Sequence, residues 1–140
     1  MRTAFACMML VALALVRPAF AETLSFTATL EGGNEVPPNQ SAAKGDAAVT
    51  FDTDSKLLSW TVDYSGLSGP AIGAHIHGLA EPGSNAGIMI PFTVLPSPII
   101  GSRTLSPLEV EGLTTGRLYV NVHTRLHPGG EIRGQLVKKQ

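Results

Sequence analysis

Cysteine is almost missing from this sequence. The one present, Cys7, lies in an N-terminal apolar run, so the rest of the 140-residue chain can form no disulfide within itself and offers no thiolate to a metal. A folded product must stand on its apolar core. Other absences narrow the function classes. There is no Gly-x-Ser-x-Gly elbow, no further cysteine nucleophile, and no glycine-rich phosphate loop ahead of a helix, so nucleophilic and nucleotide chemistry find no support. Asp52 and Asp54 are paired carboxylates, but they sit in a polar turn rather than a cleft. No internal repeat, heptad or low-complexity tract is visible, and no basic run exceeds Lys138-Lys139.

The first segment reads as a targeting signal. Met1-Arg2-Thr3 supplies a positive start, Ala4 to Val16 is apolar and uncharged, and Ala19-Phe20-Ala21 presents small residues where a signal peptidase reads. The apolar run is too short for an ordinary membrane-spanning helix. Residues 1–21 are therefore expected to be a Sec-type signal peptide, cleaved after Ala21, which directs a secreted or periplasmic product. Cys7 does not stand at the cleavage point, so no lipoprotein anchor is expected. The remaining residues 22–140 fit one domain, large enough to bury roughly two thirds of its unfolded surface. It carries 8 basic against 11 acidic residues, a net charge of −3. Neither nucleic acid nor an anionic membrane is an expected partner for that balance.

From Glu22 onward, short β-type segments alternate with turn residues. Leu24 to Leu30 alternates apolar with small polar residues. Gly45 to Phe51 and Leu57 to Tyr64 flank the turn Asp52 to Lys56 as a hairpin, with Leu58, Trp60, Val62 and Tyr64 on one face. Further strands are expected over Ile72 to Gly78, Ile88 to Leu95 (interrupted by Pro91), Arg117 to Thr124 and Glu131 to Lys138. Alternation assigns Ile72, Ala74, Ile76, Leu118, Val120 and Val122 to the core. It turns Tyr119, Asn121 and His123 outward. Pro96-Ser97-Pro98 opens a connection. Ser106-Pro107-Leu108-Glu109 is the one credible helix start, with Ser106 as N-cap, Glu109 as its capping-box partner, and an end at Gly112 or Gly116. The expected fold is all-β, an antiparallel Greek-key β-sandwich of immunoglobulin-like or superoxide-dismutase-like type with at most one short helix.

All four histidines fall in two segments. In Ala74-His75-Ile76-His77-Gly78 the two imidazoles share a strand face, roughly 6.5–7 Å apart at Cα. In Asn121-Val122-His123-Thr124 a third can be brought beside them by strand pairing. His127, in the turn that follows, could supply a fourth nitrogen or stay in solvent. A nitrogen-only donor set favours copper or zinc over calcium or magnesium, one ion per chain. Met89 could add a thioether, although its apolar neighbours suit packing better. Asn121 shares a face with His123 and could fix a ring tautomer. Glu35, Glu131 and Arg133 are expected to be ordinary solvated charges rather than an ion pair.

Five segments together carry a family resemblance: Phe26 to Leu30, Gly33-Asn34-Glu35-Val36-Pro37-Pro38, Ala74-His75-Ile76-His77-Gly78, Leu118 to Thr124, and Pro128-Gly129-Gly130-Glu131-Ile132-Arg133-Gly134-Gln135-Leu136. In this order they resemble the CHRD (chordin-like) domain, in the single-copy form found in bacterial secreted proteins. The resemblance implies a β-sandwich module associated, in chordin-like proteins, with extracellular protein regulation. A weaker likeness is to copper/zinc superoxide dismutases, which also place His-x-His on a strand and carry a later Gly-Gly…Arg segment. This chain lacks their disulfide and a clear zinc-binding loop with its aspartate. The expectation is an exported, non-catalytic module holding copper, or less favourably zinc, on His75, His77, His123 and His127. A metal-free protein-interaction module is the alternative, and a dismutase-type redox protein a third. Neutral imidazole is the ligand, so metal affinity should fall below about pH 6 to 6.5.

Overall fold

A computed structural model describes residues 21–140 of the chain. The expected signal peptide falls, apart from Ala21, outside the described residues. The strands are β1 (Thr23–Glu31), β2 (Lys44–Asp52), β3 (Leu57–Ser65), β4 (Ala71–Gly78), β5 (Ile88–Pro91), β6 (Ile99–Thr104), β7 (Leu118–Thr124), β8 (Ile132–Gln135) and β9 (Val137–Lys138). A single α-helix, α1 (Pro107–Thr114), lies between β6 and β7. Among the described residues no helix is long and apolar enough to cross a membrane.

All the strand pairings are antiparallel and follow one curled path, β5-β4-β7-β8-β1-β2-β3-β6, with β9 added on β1. The chain runs β1 to β3 as a meander and then crosses to lay β4 and β5 on the other half. It returns for β6 beside β3 and crosses again to insert β7 between β4 and β8. These interleaved crossovers give the expected all-β, sandwich-like architecture. The two halves touch along a narrow seam, a single β1–β8 pair (Glu31 with Arg133) and two β1–β9 pairs.

One core fills the space between the halves. Phe26, Val49, Trp60 and Ile99 enter it from one side, and Ile76, Ile90, Val120, Val122 and Ile132 from the other. Each such side chain contributes about 1.5–3 kcal/mol on burial. Trp60 is buried as expected and stacks on Phe92, with ring centroids 5.0 Å apart. Its indole fits because Gly101 faces it from β6; a Cβ there would lie 2.5 Å from Trp60 Cζ2.

The helix start is as the sequence implies. Ser106 Oγ accepts from the Glu109 N–H, and a Glu109 carboxylate oxygen accepts from the Ser106 N–H. Gly116, at φ +73°, takes the left-handed position just after the helix.

Four expectations need correction, the first being the strand expected over Glu131 to Lys138, which divides into β8, paired with β7, and β9, paired with β1. Ile99–Thr104 forms a strand that the surrounding Pro and Gly residues concealed. The strand expected over Ile88 to Leu95 ends at Pro91, where a backbone donor is missing. Ile72 is 51% exposed rather than core, because it sits at the outer end of β4, where the β4–β7 register shifts between Ala71 and Gly73.

Candidate metal centre

The side of β4 and β7 that faces away from the core is not bare. Every residue of β7 is buried, including Tyr119, Asn121 and His123. Alternation assigned their direction correctly but not their environment. Two loops cover them: the segment around Gly33–Pro38 that follows β1, and Leu79–Gly87 that follows β4.

Pairing decides which rings meet. In the β4–β7 register Gly73 faces His123 and His75 faces Asn121, so His123 stands diagonally from His75. Gly73 leaves room for this approach, since a Cβ there would come within 3.0 Å of His75 Cε1. The ring centroids are 4.9 Å apart for His75–His123, 5.3 Å for His75–His77 and 5.8 Å for His77–His123. One nitrogen from each ring lies within 4.8 Å of the other two. Metal–nitrogen bonds of 2.0–2.1 Å hold pairs of ligand nitrogens about 3.3–4.1 Å apart, so modest ring rotations would bring three donors onto one ion.

The tautomers are set by backbone carbonyls. His77 Nδ1 donates to Ala86 O at 3.0 Å and His123 Nδ1 to Pro128 O at 3.0 Å. Each bond places the proton on Nδ1 and leaves the Nε2 lone pair free. His123 Nε2 receives His75 Nδ1 at 3.1 Å. His77 Nε2, on a side chain 8% exposed, is buried without any hydrogen-bond partner. A buried acceptor left unpaired costs about 1–3 kcal/mol, which is the cost a bound ion would remove. Asn121, expected to orient a ring, instead donates to Glu35 Oε1 and Ile132 O.

Burial also holds the rings neutral. Desolvation, followed by the neighbouring His123 and His77, pushes His75 down to about 4. Desolvation lowers His77 despite its bond to Ala86, and lowers His123 despite its bond to Pro128. Neutral imidazole is the metal-binding form.

Stacking and hydrogen bonds enclose the rings. His77 stacks on Tyr119 with centroids 4.9 Å apart and planes 3° from parallel, and Arg133 Cζ lies 3.5 Å from the centre of the Tyr119 ring. Tyr119 Oη accepts from Ala86 N and donates to Ala86 O, while Arg133 donates to Ser84 O and Asn85 Oδ1. Asn85 in turn donates to Val36 O at 2.9 Å, which ties the two covering loops together.

The expectation of solvated charges at Glu35, Glu131 and Arg133 is overturned, since all three are buried. Glu131 accepts from Ser41 Oγ, Ser68 N, Ser68 Oγ and Thr124 Oγ1. Burial raises its pKa, but these donors outweigh it and hold the carboxyl at about 2. A charged residue flanked by Gly-Gly and an apolar strand gave no sign of such burial.

His127 is not among the three converging rings; its backbone closes the turn after β7 with Thr124. Met89 is half-buried against the core, with its sulfur beside Gly78, as packing requires.

A family model for the CHRD domain matches residues 26–136. The chain belongs to the CHRD domain family. Chordin from Danio rerio is 33% identical over 109 residues, which covers 71% of this chain. The matched part is 12% of chordin, so this CHRD chain spans a small fraction of that relative. No solved structure matches the chain significantly. Four of the five segments that carry the family resemblance, Gly33 to Pro38, Ala74 to Gly78, Leu118 to Thr124 and Pro128 to Leu136, converge around β4, β7 and β8.

Proposed function

We propose that this CHRD domain is an exported, non-catalytic module that holds one metal ion on His75, His77 and His123. The observation that carries the reading is the buried, unpaired Nε2 of His77 in a group of three imidazoles that each offer one nitrogen within 4.8 Å of the others. Copper is favoured over zinc, because an all-nitrogen set binds Cu²⁺ more tightly along the divalent series and no thiolate accompanies it. The two carbonyl-anchored rings supply Nε2. His75 must give up its bond to His123 when the ion enters, which makes it the ring that reorients.

Purified protein should bind about one copper per chain by equilibrium dialysis with metal analysis, and His75→Ala or His123→Ala should abolish it. Unchanged stoichiometry in both variants removes the proposal. Protonation destroys the ligand lone pair, and all three rings titrate below the ordinary imidazole value. Apparent copper affinity should therefore hold steady down to about pH 6 and weaken only as pH approaches the value near 4 that His75 reaches. An apparent affinity that already falls as pH drops through about 6.5 would mean that the rings titrate as solvated imidazoles.

Membership of the CHRD family supports a second reading, an extracellular protein-interaction module in which the histidine face is part of the scaffold. Wild-type copper content after isolation from the native compartment separates the two.

A further inference from the structure

Arg133 is 2% exposed and lines a cleft of about 500 Å³ between the Gly33–Pro38 segment and Pro82-Gly83. Among the described residues no carboxylate oxygen comes within 4.0 Å of it to form a salt bridge. Its guanidinium lies against the Tyr119 ring and donates to two loop oxygens, so three of its five N–H groups have no partner in the protein. A buried cation without a counter-ion is costly. Glu35 shares the cleft. Its Oε1 accepts from Asn121, and its Oε2 makes no hydrogen bond within the protein. The remaining walls include Val36, Pro38 and Pro82, with Gln135 as a further polar group.

We infer that this cleft is a binding site for a small monocarboxylate, with the carboxylate on Arg133 and Glu35 and an apolar body against Val36, Pro38 and Pro82. One guanidinium and no second cation line the cleft, which matches a single negative charge. A planar carboxylate also suits the guanidinium fork. Burial pushes the Glu35 carboxyl up to about 7, against the Asn121 bond and the Arg133 charge. It therefore carries a proton that it can donate to the incoming anion. A volume of this size is ordinary for a small-ligand site. No histidine lines the cleft, so the inference stands or falls apart from the metal reading.

The probe is benzoate, titrated into the purified, metal-free protein at about pH 6 and followed by amide shifts in two-dimensional NMR. Saturable shifts at Glu35, Gly83 and Gln135 are expected with benzoate and not with benzamide. Arg133→Met should weaken binding about tenfold or more. The inference is overturned by no saturable shift up to about 50 mM benzoate. Equal binding of benzamide, tighter binding of inorganic phosphate at the same amides, or wild-type affinity in Arg133→Met would each overturn it as well. Should Arg133→Met fail to fold, the benzoate–benzamide contrast in the wild-type protein decides alone.

Discussion

At the scale of single residues, the covered face of β4, β7 and β8 sets opposite protonation behaviour on two buried carboxyls. Glu131 meets four donors and stays ionised, so its stabilising contribution is present above its unfolded value of 4.5 and lost only as pH falls through about 2. Glu35 meets one donor and a neighbouring guanidinium, too little to offset desolvation. Its folded value lies above the unfolded 4.5, so its contribution is fully present below 4.5 and lost as pH rises through about 7. Glu35→Gln removes that dependence and keeps the Asn121 bond. Relative to wild type, the variant should gain about 1–3 kcal/mol between pH 5 and pH 8, read from urea unfolding at both values. A parallel pH dependence in the two proteins would show Glu35 ionised throughout. The sequence placed His75, His77 and His123 on shared faces because alternation is a local property of strands. It could not show that Arg133 and Glu35 are buried, because what packs on them, the Leu79–Gly87 loop on Arg133 and Asn121 and Gly130 on Glu35, is distant in sequence.

At the scale of elements, the seam between the two halves depends on close backbone approach. A Cβ on Gly134 would stand 2.5 Å from the Thr29 carbonyl oxygen of β1. That oxygen cannot retreat, because β1 is paired with β2 along its whole length. Gly134→Ala should therefore destabilise the fold by roughly 2–3 kcal/mol, measured as a lowered urea midpoint. An unshifted midpoint would mean that β8 slides freely past β1. Helix α1 was legible from Ser106 to Glu109 because capping is settled within four residues. Strand β6 was not, since it lies between Pro98 and Leu105 with a glycine at its centre, and its pairing partner β3 is about forty residues earlier.

At the scale of the whole molecule, the two halves share one core and meet at few backbone pairs, so neither buries its apolar face alone. Folding should be a single cooperative step. Trp60 reports on the β1-β2-β3-β6 half, and the ring protons of His77 and His123 report on the other. Fluorescence and NMR should give the same denaturant midpoint. Two separated midpoints would show that the halves are independent units.

The sequence by itself determined the all-β class, the single helix start, the shared-face histidines and the family resemblance. Each of these rests on spacing within a strand or turn, or on residues read in order. Tertiary structure decided the rest. Inserting β7 between β4 and β8 selected His123 over His127 for the cluster, and backbone carbonyls of Ala86 and Pro128 fixed two tautomers. Closing two loops over the outer face turned Ala74-His75-Ile76-His77-Gly78 from a surface pattern into a buried centre. Burial and hydrogen-bond partners are properties of what packs against a strand, and no local period encodes them.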